Sequence, residues 1–550
     1  MNPIIQRELI GFLRTPKALA ILVGVATAFA LLVLLRWPSE PIVAMSGAES
    51  VNIFRLFGYG LMATVLLLSP VLPATSIVRE RVSGTLTLLI NSPMSTWSIY
   101  GGKLLGSFGF SLLLLAMSLP AAAACYAMGG IDPIDLLTLY FMLALTCLQM
   151  SSLALYISTH VGSSDTGLRA AFGGVLTISV LTLVPFHFFR SVAIEIEMIA
   201  RWLRWLSPIP AMQELMGHLH IGMSAMEEEA GLLPKYLIAA VVSSLVFSVL
   251  TIRRLSHRSL DQSRPQGVMT HDRTNAGQWG RRLLYLVDPQ RRAIGIPPFV
   301  NPVMIKEFRC RKFGRFSWLI RMMMICSVTS LLLTFLTVQE SMEQGVARIA
   351  VLLAILQFGL VILLTPSLAS SLISSERESG GWVLLQVTRL RGDSILFGKL
   401  MSVVWTLMMI VISTMPGYWV MVYLQPDLWL SIYRVTISLV LASVFAISLS
   451  TAISSLFCRA ATSTTVTYGV LLGLYAGTFL VWLGRDAPFG HDIVEGALRL
   501  NLLAASLHIL NVQGFTDYDL VPQAWWFAGV SSAILLVFVV IRTHWLLRPT

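Results

Sequence analysis

The chain has 550 residues, of which 56% are hydrophobic and only 12% are charged, with a formal net charge of +11. Soluble domains carry about 25% charged residues, so this composition excludes an ordinary soluble protein and predicts a chain that lies mostly in lipid. No small-residue cleavage site follows the first apolar run. We therefore expect the first span to be a retained anchor and not a signal peptide.

Apolar runs long enough to cross a membrane recur along the whole chain. A run of about 18 or more apolar residues is a candidate membrane helix. We therefore predict an all-α integral membrane protein with about twelve spans. The predicted spans are 18–37, 57–78, 104–128, 136–160, 170–189, 234–252, 316–338, 347–374, 400–424, 430–456, 464–484 and 524–541.

Basic residues are concentrated at both chain ends and in the middle of the chain. Between Thr251 and Arg321 there are fifteen Lys and Arg residues but only four acidic ones. Cytoplasmic loops are enriched in Lys and Arg, so we expect both termini and the middle segment to be cytoplasmic in a bacterial inner or plasma membrane. The segment lacks the interleaved aromatic residues of a nucleic-acid surface, and we predict no nucleic-acid partner.

Two polar segments with nearly the same motif interrupt the apolar runs. The first loop segment, residues 77–106, reads IVRERVSGTLTLLINSPMSTWSIYGGKLLG, and the second loop segment, residues 372–401, reads LISSERESGGWVLLQVTRLRGDSILFGKLM. Three residue pairs are each 296 positions apart: Glu80 with Glu376, Gly84 with Gly380, and Lys103 with Lys399. The spacing predicts a tandem duplication of a six-span unit, in which both copies share one orientation.

The duplication predicts three regions along the chain. Residues 1–255 would form the first six-span unit, 256–300 a basic cytoplasmic linker, and 301–550 the second unit. Each unit starts with Asn-Pro, in NPIIQRE at Asn2 and NPVMIKE at Asn301. Asn-Pro is a helix-start signal, so each motif predicts either a short helix in the membrane interface or an extension of the following span.

A longer amphipathic segment precedes the last span of each unit. Residues 190–210 place apolar side chains at helical spacing, which predicts a helix at the outer interface or one that re-enters the membrane. The apolar stripe comprises Val192, Ile196, Ile199, Leu203 and Leu206. The corresponding segment in the second unit, 485–523, is similar in length but less regular.

Motifs for nucleotide or metal chemistry are absent from the sequence. No G-x4-G-K-[ST] loop occurs, since YGGKLLG lacks its first glycine and its hydroxyl residue. We predict that the chain is not an enzyme and carries no cofactor. His218 and His220 near Glu214 suggest either a metal site or polar surface, and we favour surface. The five cysteines show no CxxC spacing, which favours packed thiols over disulfides or metal ligands.

Ionisable residues are missing from the middle of most predicted spans. Carriers driven by protons or sodium usually keep such a residue at membrane depth to bind the coupling ion. Arg321, Arg348 and Arg434 lie near span ends, where their side chains can reach the interface. We infer that the energy for transport does not enter through an ion site within the spans. The polar segment that is repeated once per unit is the natural place for it to enter.

The two loop segments resemble those of membrane-spanning permease subunits of ATP-binding-cassette (ABC) transporters, in the exporter superfamily with six-span units. The family's usual loop reads E-[RK]-E-x-G-T, a leucine-rich turn, then P-[LV]-x-x-x-x-I-x-x-G-K. The first loop segment departs from it at Val82, where an acid is usual. The second has Gly381 in place of Thr and lacks the Ser-Pro pair.

The resemblance implies a permease that forms the translocation pathway and works as an exporter. It implies that each loop segment docks one cytoplasmic ABC ATPase, two per chain, and that ATP and magnesium bind to those partners. The residues expected to contact the ATPases are Arg79, Glu80, Arg81, Ser83, Gly84, Lys103, Glu376, Arg377, Glu378, Ser379, Gly380 and Lys399.

Two other functions are compatible with the pattern of spans. A secondary carrier of two six-span repeats would require an intramembrane charge, which the spans lack. A membrane scaffold without transport would not stimulate the ATPase activity of a partner.

Overall fold

The structure is a computed structural model, and its described residues are helical wherever they form regular elements. This agrees with the predicted all-α membrane protein. The described residues are 3–34, 48–128, 131–183, 185–186, 194–217, 231–256, 301–310, 316–338, 342–388, 390–485 and 490–547.

The chain divides into two compact units. The first comprises Met1–Gln262 together with Phe479–Val494, and the second comprises Ser263–Thr478 together with Glu495–Thr550. The predicted linker, 256–300, lies almost entirely outside the described residues, and its role stays a prediction.

In the first half of the chain, the helices follow the apolar runs of the sequence, both before and after the first loop segment. A short π-helical turn, Thr177–Leu181, continues α9. The helices are α1 Pro3–Leu13, α2 Pro16–Leu34, α3 Ala48–Leu68, α4 Val71–Val82, α5 Thr85–Ile90, α6 Thr96–Met117, α7 Leu119–Ala127, α8 Pro133–His160, α9 Ser164–Leu176, α10 Ile194–Arg204, α11 Pro208–Leu215 and α12 Leu232–Ser256.

The second half of the chain repeats this order of elements. The helices are α13 Pro302–Cys310, α14 Phe316–Val338, α15 Met342–Ala369, α16 Ser374–Glu378, α17 Gly381–Gln386, α18 Gly392–Ser413, α19 Pro416–Leu424, α20 Trp429–Leu456, α21 Ala460–Leu483, α22 Gly490–Leu498, α23 Leu502–Ile509 and α24 Val521–Leu547.

Nine helices in the described part of the chain are long and apolar enough to cross a membrane, and a tenth span results if the bent pair of α1 and α2 is counted. Two of the predicted spans are not among these nine helices. The predicted span 170–189 forms α9 and the π-helical turn, and 316–338 forms α14, whose described apolar part is Leu319–Leu331. The count of about twelve therefore stays a prediction.

Each unit is built around one central helix of 28 residues, α8 in the first and α20 in the second. Helix α8 packs against α4, α6 and α12, and α20 packs against α15 and α24. Serines and threonines on the central helices are buried and bond mainly to the carbonyl one turn earlier, as Thr146 and Ser450 do. The last turn of each central helix reaches the loop segment of its own unit.

The two predicted Asn-Pro helices are present as α1 and α13. In α13, Asn301 Oδ1 accepts a hydrogen bond of 2.9 Å from the Val303 N–H, so this asparagine caps the helix. Its side-chain amide also donates to the Ser394 carbonyl at 2.6 Å, which fixes α13 against the start of α18. Asn2, the counterpart in the first unit, lies outside the described residues.

The outer segment of each half of the chain contains two short helices, α10 and α11 in the first half and α22 and α23 in the second. Two residues of the predicted apolar stripe of α10 do not face the interior: Ile199 is 64% exposed and Leu203 is 39% exposed, whereas Ala200 is buried. This exposure favours an apolar face that meets lipid. Val192 lies outside the described residues.

Candidate functional site

Both loop segments turn at a glycine with left-handed backbone geometry. Gly84 has φ 74° and ψ 2°, and Gly380 has φ 73° and ψ 0°. The serine before each glycine closes the turn, because Ser83 Oγ donates to the Glu80 carbonyl at 3.2 Å and Ser379 Oγ donates to the Glu376 carbonyl at 3.3 Å. The repeated motif therefore encodes a repeated turn, which ends one helix and starts the next.

A buried lysine lies beneath the first loop segment and contacts two carboxylates. Lys103 is 2% exposed, and its Nζ lies 3.1 Å from Glu8 Oε1 and 2.9 Å from Glu80 Oε1. It also donates to Ser76 Oγ at 3.0 Å, while Arg7 pairs with Glu80 from the more exposed side. A buried ammonium is tolerated only when it is paired and hydrogen-bonded in this way.

The second loop segment has the same cluster. Lys399 is 1% exposed, it pairs with Glu307, and its Nζ lies 3.3 Å from Glu376 Oε1. Lys306 approaches Glu376 at 2.6 Å, in the position that Arg7 has in the first unit. Each cluster therefore joins an Asn-Pro helix, the end of a span and the start of the next span through one buried cation.

Glu8 and Glu307 belong to these clusters, and neither was predicted from the sequence. Burial of the Glu8 carboxyl works to raise its pKa, but the neighbouring Lys103 and Arg7 outweigh burial and hold the pKa below its ordinary value. The signal that could have found them is the shared ending of NPIIQRE and NPVMIKE, a basic residue followed by Glu. That motif predicted only a helix, since sequence spacing cannot show a contact between segments so far apart.

An arginine in each loop segment binds the end of the central helix. Arg81 donates to the Thr159 carbonyl at 2.9 Å and to the Val161 carbonyl at 3.0 Å. The last carbonyls of a helix lack partners within the helix and carry partial negative charge. Arg81 satisfies two of these carbonyls and so ties the end of α4 to α8.

Arg377 makes the corresponding contacts in the second unit. It donates to the Ser455 carbonyl at 3.2 Å and to the Phe457 carbonyl at 3.5 Å. Both acceptors lie 296 positions after those of Arg81. The arginines that were expected to face a partner thus bind their own unit.

A serine on each central helix adds a second tie. Ser158 Oγ accepts a hydrogen bond from the Val78 N–H at 3.3 Å, and Ser454 Oγ accepts from the Ser374 N–H at 3.1 Å. The side chains of both serines are fully buried. The helix that leads into each loop segment is therefore held to the central helix by backbone as well as side-chain contacts.

The exposed part of each loop segment is apolar. In the first, Leu86 is buried while Leu88 is 72% exposed, and Arg79 and Val82 are exposed nearby. In the second, Leu384, the counterpart of Leu88, is 74% exposed. Val383 and Val387 beside Leu384 are exposed as well. A cluster of exposed aliphatic side chains on a polar segment marks an interaction surface.

The position where the first loop segment departs from the family motif has a defined role in the second. Glu378 Oε2 accepts a hydrogen bond of 2.9 Å from the Ala460 N–H and so caps the start of α21. The first unit has Val82 at this position. There the helix that corresponds to α21 is α9, and it is capped by its own Ser163, which accepts a hydrogen bond from the Thr166 N–H. The missing acid in the first copy is therefore compensated by a local cap.

The described residues contain no group of His, Cys, Asp and Glu side chains that could hold a metal ion. The Glu214 carboxylate accepts hydrogen bonds from the Gly231 N–H at 2.9 Å and the Leu233 N–H at 2.6 Å, so it caps α12. His218 and His220 lie outside the described residues. Cys125, Cys147 and Cys326 are buried free thiols, in agreement with the predicted packing role, and Cys458 is an exposed one.

The sequence of the first half resembles a known family of membrane proteins. Residues 60–260 match the family model described as ABC-2 family transporter protein. This supports a permease component of an ABC transporter. The matched region includes the first loop segment, the Arg81 contacts, Lys103 and the whole of α8. No curated protein matches the chain. Together with the nine apolar helices of the described part, the match supports a multi-pass protein of the cell membrane.

Proposed function

We propose that this chain is the permease of an ABC exporter, with both halves of the translocation pathway fused in tandem, and that each loop segment docks one cytoplasmic ATPase. The observation that carries the proposal is the repetition of the left-handed glycine, the buried lysine cluster and the arginine contacts in both loop segments. The family match covers residues 60–260, and the shared geometry is what extends the role to the second half.

The contacts around each loop segment favour transmission of force. The turn that begins at Gly84 is joined to α8 through Arg81 and Ser158 and to α6 through Lys103. A displacement of α5 would therefore move the central helix and the following span with it. The same reasoning applies to α17 in the second unit. Closure of the two ATPases on ATP would move both loop segments and so change the opening of the pathway.

The exposed aliphatic side chains are the proposed docking surface. Leu88 on α5 and Leu384 on α17 occupy equivalent positions and are both mostly exposed. Arg79 and Val82 in the first unit, and Val383 and Val387 in the second, would extend this contact. Of the residues expected at the interface, Glu80, Lys103, Glu376 and Lys399 would act indirectly, because they fix the shape of the loop segment from within.

ATP hydrolysis would take place on the partners. The sequence has no phosphate-binding loop of the Walker type, so ATP and magnesium are assigned to two ATPase subunits per chain. The basic residues between Thr251 and Arg321 support a cytoplasmic location for both termini and for the loop segments. That orientation places the docking surfaces on the side where ATP is available.

The test is a polar substitution at the exposed leucines. We expect Leu88→Asp and Leu384→Asp each to reduce ATPase co-purification and transport-coupled ATPase activity by tenfold or more. An apolar anchor at an interface contributes on the order of 2 kcal/mol, and a buried carboxylate adds a desolvation cost. Leu88→Met and Leu384→Met are the matched controls, since they keep the apolar contact. If both Asp variants bind and stimulate the ATPase as the wild type does, the docking assignment is wrong.

A further inference from the structure

A pocket lies at the end of the second unit that faces away from the second loop segment. Its volume is ≈ 590 Å³, within the range of about 300–1,000 Å³ that is typical of small-molecule sites. Helices α20 and α24 both begin at this pocket and end beside the second loop segment, at Ser455 and Leu546 respectively. The pocket lining comprises Ser431, Arg434, His508, Ile509, Asn511, Asp519, Val521, Pro522 and Trp525.

One wall of the pocket carries an uncompensated positive charge. Arg434 lies on α20, one turn before Ser438, and is exposed. No side-chain hydrogen bond or ion pair of Arg434 is found among the described residues. Asp519, which precedes α24 and also lines the pocket, is exposed and is likewise without an ion-pair partner in that part of the chain. The two charges do not pair with each other, so both are available to a ligand.

Two aromatic side chains of the pocket lining are held in place by hydrogen bonds. Trp525 Nε1 donates a hydrogen bond of 2.8 Å to Ser438 Oγ, which holds the indole against α20. His508 Nδ1 lies 2.9 Å from the Phe515 carbonyl. Because a carbonyl only accepts, Nδ1 carries the hydrogen, and Nε2 is the ring's remaining acceptor when the imidazole is neutral.

The helix that presents His508 is itself anchored. Asn501 is fully buried and caps α23 by accepting from the Leu503 N–H at 2.9 Å. Its amide donates to the Tyr475 carbonyl at 3.0 Å and to Thr478 Oγ1 at 2.7 Å. The short helix α23 is thus fixed to α21. This part of the pocket lining is therefore held by specific hydrogen bonds.

The pocket lies at the level of a membrane surface. Trp429 and Tyr433 in the first turns of α20 are 56% and 55% exposed, and Trp526 in the first turn of α24 is 75% exposed. Exposed tryptophan and tyrosine at the ends of membrane helices mark the lipid headgroup region. Lipid headgroups are therefore the ligands present at the highest local concentration.

We propose that this pocket binds a zwitterionic aminophosphate headgroup, with the phosphate at Arg434 and the primary ammonium at Asp519. The Ser431 hydroxyl and the Asn511 amide supply further donors for the phosphate, and His508 Nε2 is a further acceptor for the ammonium. The site is separate from the ATPase docking surface and goes beyond the proposed function, so either assignment can fail without the other.

The test is lipid binding by the purified full chain without any ATPase, measured by native mass spectrometry with lipids of equal acyl chains. We expect phosphatidylethanolamine to bind at least about tenfold more tightly than phosphatidylcholine, whose quaternary ammonium cannot donate a hydrogen bond to Asp519. Phosphatidylglycerol, which has no ammonium, should also bind more weakly. Equal binding of all three lipids by the wild type would overturn the proposal without recourse to any variant.

Variants separate the two ends of the headgroup. Arg434→Gln should weaken phosphatidylethanolamine and phosphatidylglycerol alike, by about tenfold. Asp519→Asn should weaken phosphatidylethanolamine alone and so remove its preference. Arg499→Gln is the matched control, because Arg499 lies in the same outer segment but pairs with Glu495 at 2.7 Å outside the pocket. A loss of the same size in the control would show that the effect is not specific to the pocket.

The soluble headgroup distinguishes a lipid from a free ligand. O-phosphoethanolamine should bind at least about tenfold more weakly than the lipid, since it lacks acyl chains beside Trp429 and Trp526. Binding of the soluble compound as tight as that of the lipid would overturn the lipid assignment.

Discussion

The two loop segments have the same geometry at their turns but are anchored differently around them. In the first, Leu86 is buried in an apolar cluster with Ile252 and Leu255 of α12. In the second, Trp382, the counterpart of Leu86, is buried and also donates a hydrogen bond to the Leu546 carbonyl at 3.0 Å. Gln386 donates to the same carbonyl at 2.9 Å. The last helix thus holds the first loop segment by packing at Leu86 and by a hydrogen bond of 2.7 Å between the Tyr100 and Ser248 hydroxyls, whereas it holds the second through the Leu546 carbonyl at its end.

This comparison separates features that occur in both loop segments from features that occur in only one of them. The left-handed glycine, the buried lysine with two carboxylates and the arginine that binds the end of the central helix occur in both units. The helix cap made by Glu378 and the hydrogen bond of Trp382 occur in one. We expect loss of a shared feature to affect both halves, with a size set by the local surroundings, and loss of an unshared feature to affect one half alone.

Removal of the buried lysines should have the largest effect. Lys103→Met or Lys399→Met leaves carboxylates without their buried cation, which costs about 3–5 kcal/mol of stability. The cost should be greater for Lys399, because Glu307 is 3% exposed whereas the side chain of Glu8 is 16% exposed. The measurement is the thermal unfolding of the purified chain in detergent.

The matched control for this experiment is Lys306→Met, since the side chain of Lys306 is 42% exposed. It should change the unfolding temperature little, as exposed ion pairs contribute about 0–1 kcal/mol. Equal effects of Lys306→Met and Lys399→Met would contradict the assignment of Lys399 as the centre of its cluster.

The arginine contacts should show the next largest effect and a difference between the halves. Arg377→Met leaves the end of α20 without its donor, at a cost of about 1–3 kcal/mol. Arg81→Met should cost less, because Arg254 Nε also lies 3.5 Å from the Thr159 carbonyl and can replace part of the contact. Hydrogen exchange at the end of each central helix measures the loss.

The double variant Arg81→Met with Arg254→Met tests this explanation. It should raise hydrogen exchange at the end of α8 to the level that Arg377→Met produces at the end of α20. If the double variant behaves like Arg81→Met alone, Arg254 does not account for the difference between the halves.

The left-handed glycines should respond alike in the two halves. An added Cβ at Gly84 or Gly380 would meet no atom within 4 Å, so Gly→Ala introduces backbone strain without a clash. The expected cost is about 1–2 kcal/mol at each position. Gly101→Ala is the control, because Gly101 is helical with equally open surroundings, and alanine there should be neutral or stabilising. Thermal unfolding of each variant measures this cost. A loss of stability at only one of the two glycines would contradict the equivalence of the two turns.

The smallest effect is expected where the halves differ in sequence. Glu378→Val places the first-half residue in the second half and removes the cap of α21, at a cost of about 1 kcal/mol. Hydrogen exchange at the start of α21 should rise. The reverse change, Val82→Glu, should leave α9 unchanged because Ser163 already caps it. An increase in the protection of α9 by Val82→Glu would show that the local cap is incomplete.

Much of the fold could be predicted from the sequence because membrane helices require long apolar runs. The central helices, the Asn-Pro helices and the repeated turn at Gly84 and Gly380 all follow from local patterns. The boundaries were less predictable, since the spans continue into the polar segments: the helical region Val51–Val82 includes Glu80 and Arg81, which sequence alone assigns to a loop. Hydropathy falls there while helical geometry continues.

The contacts of the site were beyond local patterns. The sequence identifies Glu80 and Lys103 as repeated residues, but their burial and their pairing with Glu8 depend on how separate segments pack. Repetition showed that these residues matter without showing whether they face a partner or the interior. The pocket around Arg434 could not be found from the internal repeat, because its lining residues lie outside the two loop segments and the Asn-Pro motifs.

The order of residues around each buried lysine has a consequence for biogenesis. Glu8 and Glu80 precede Lys103 in the chain, and Glu307 and Glu376 precede Lys399. Both carboxylates are therefore already synthesised when the ribosome adds the cation that they neutralise. Each half can complete its polar junction as its third long helix enters the membrane, without waiting for the other half to be translated. The first half would then have its buried ion-pair cluster formed before the second half leaves the ribosome.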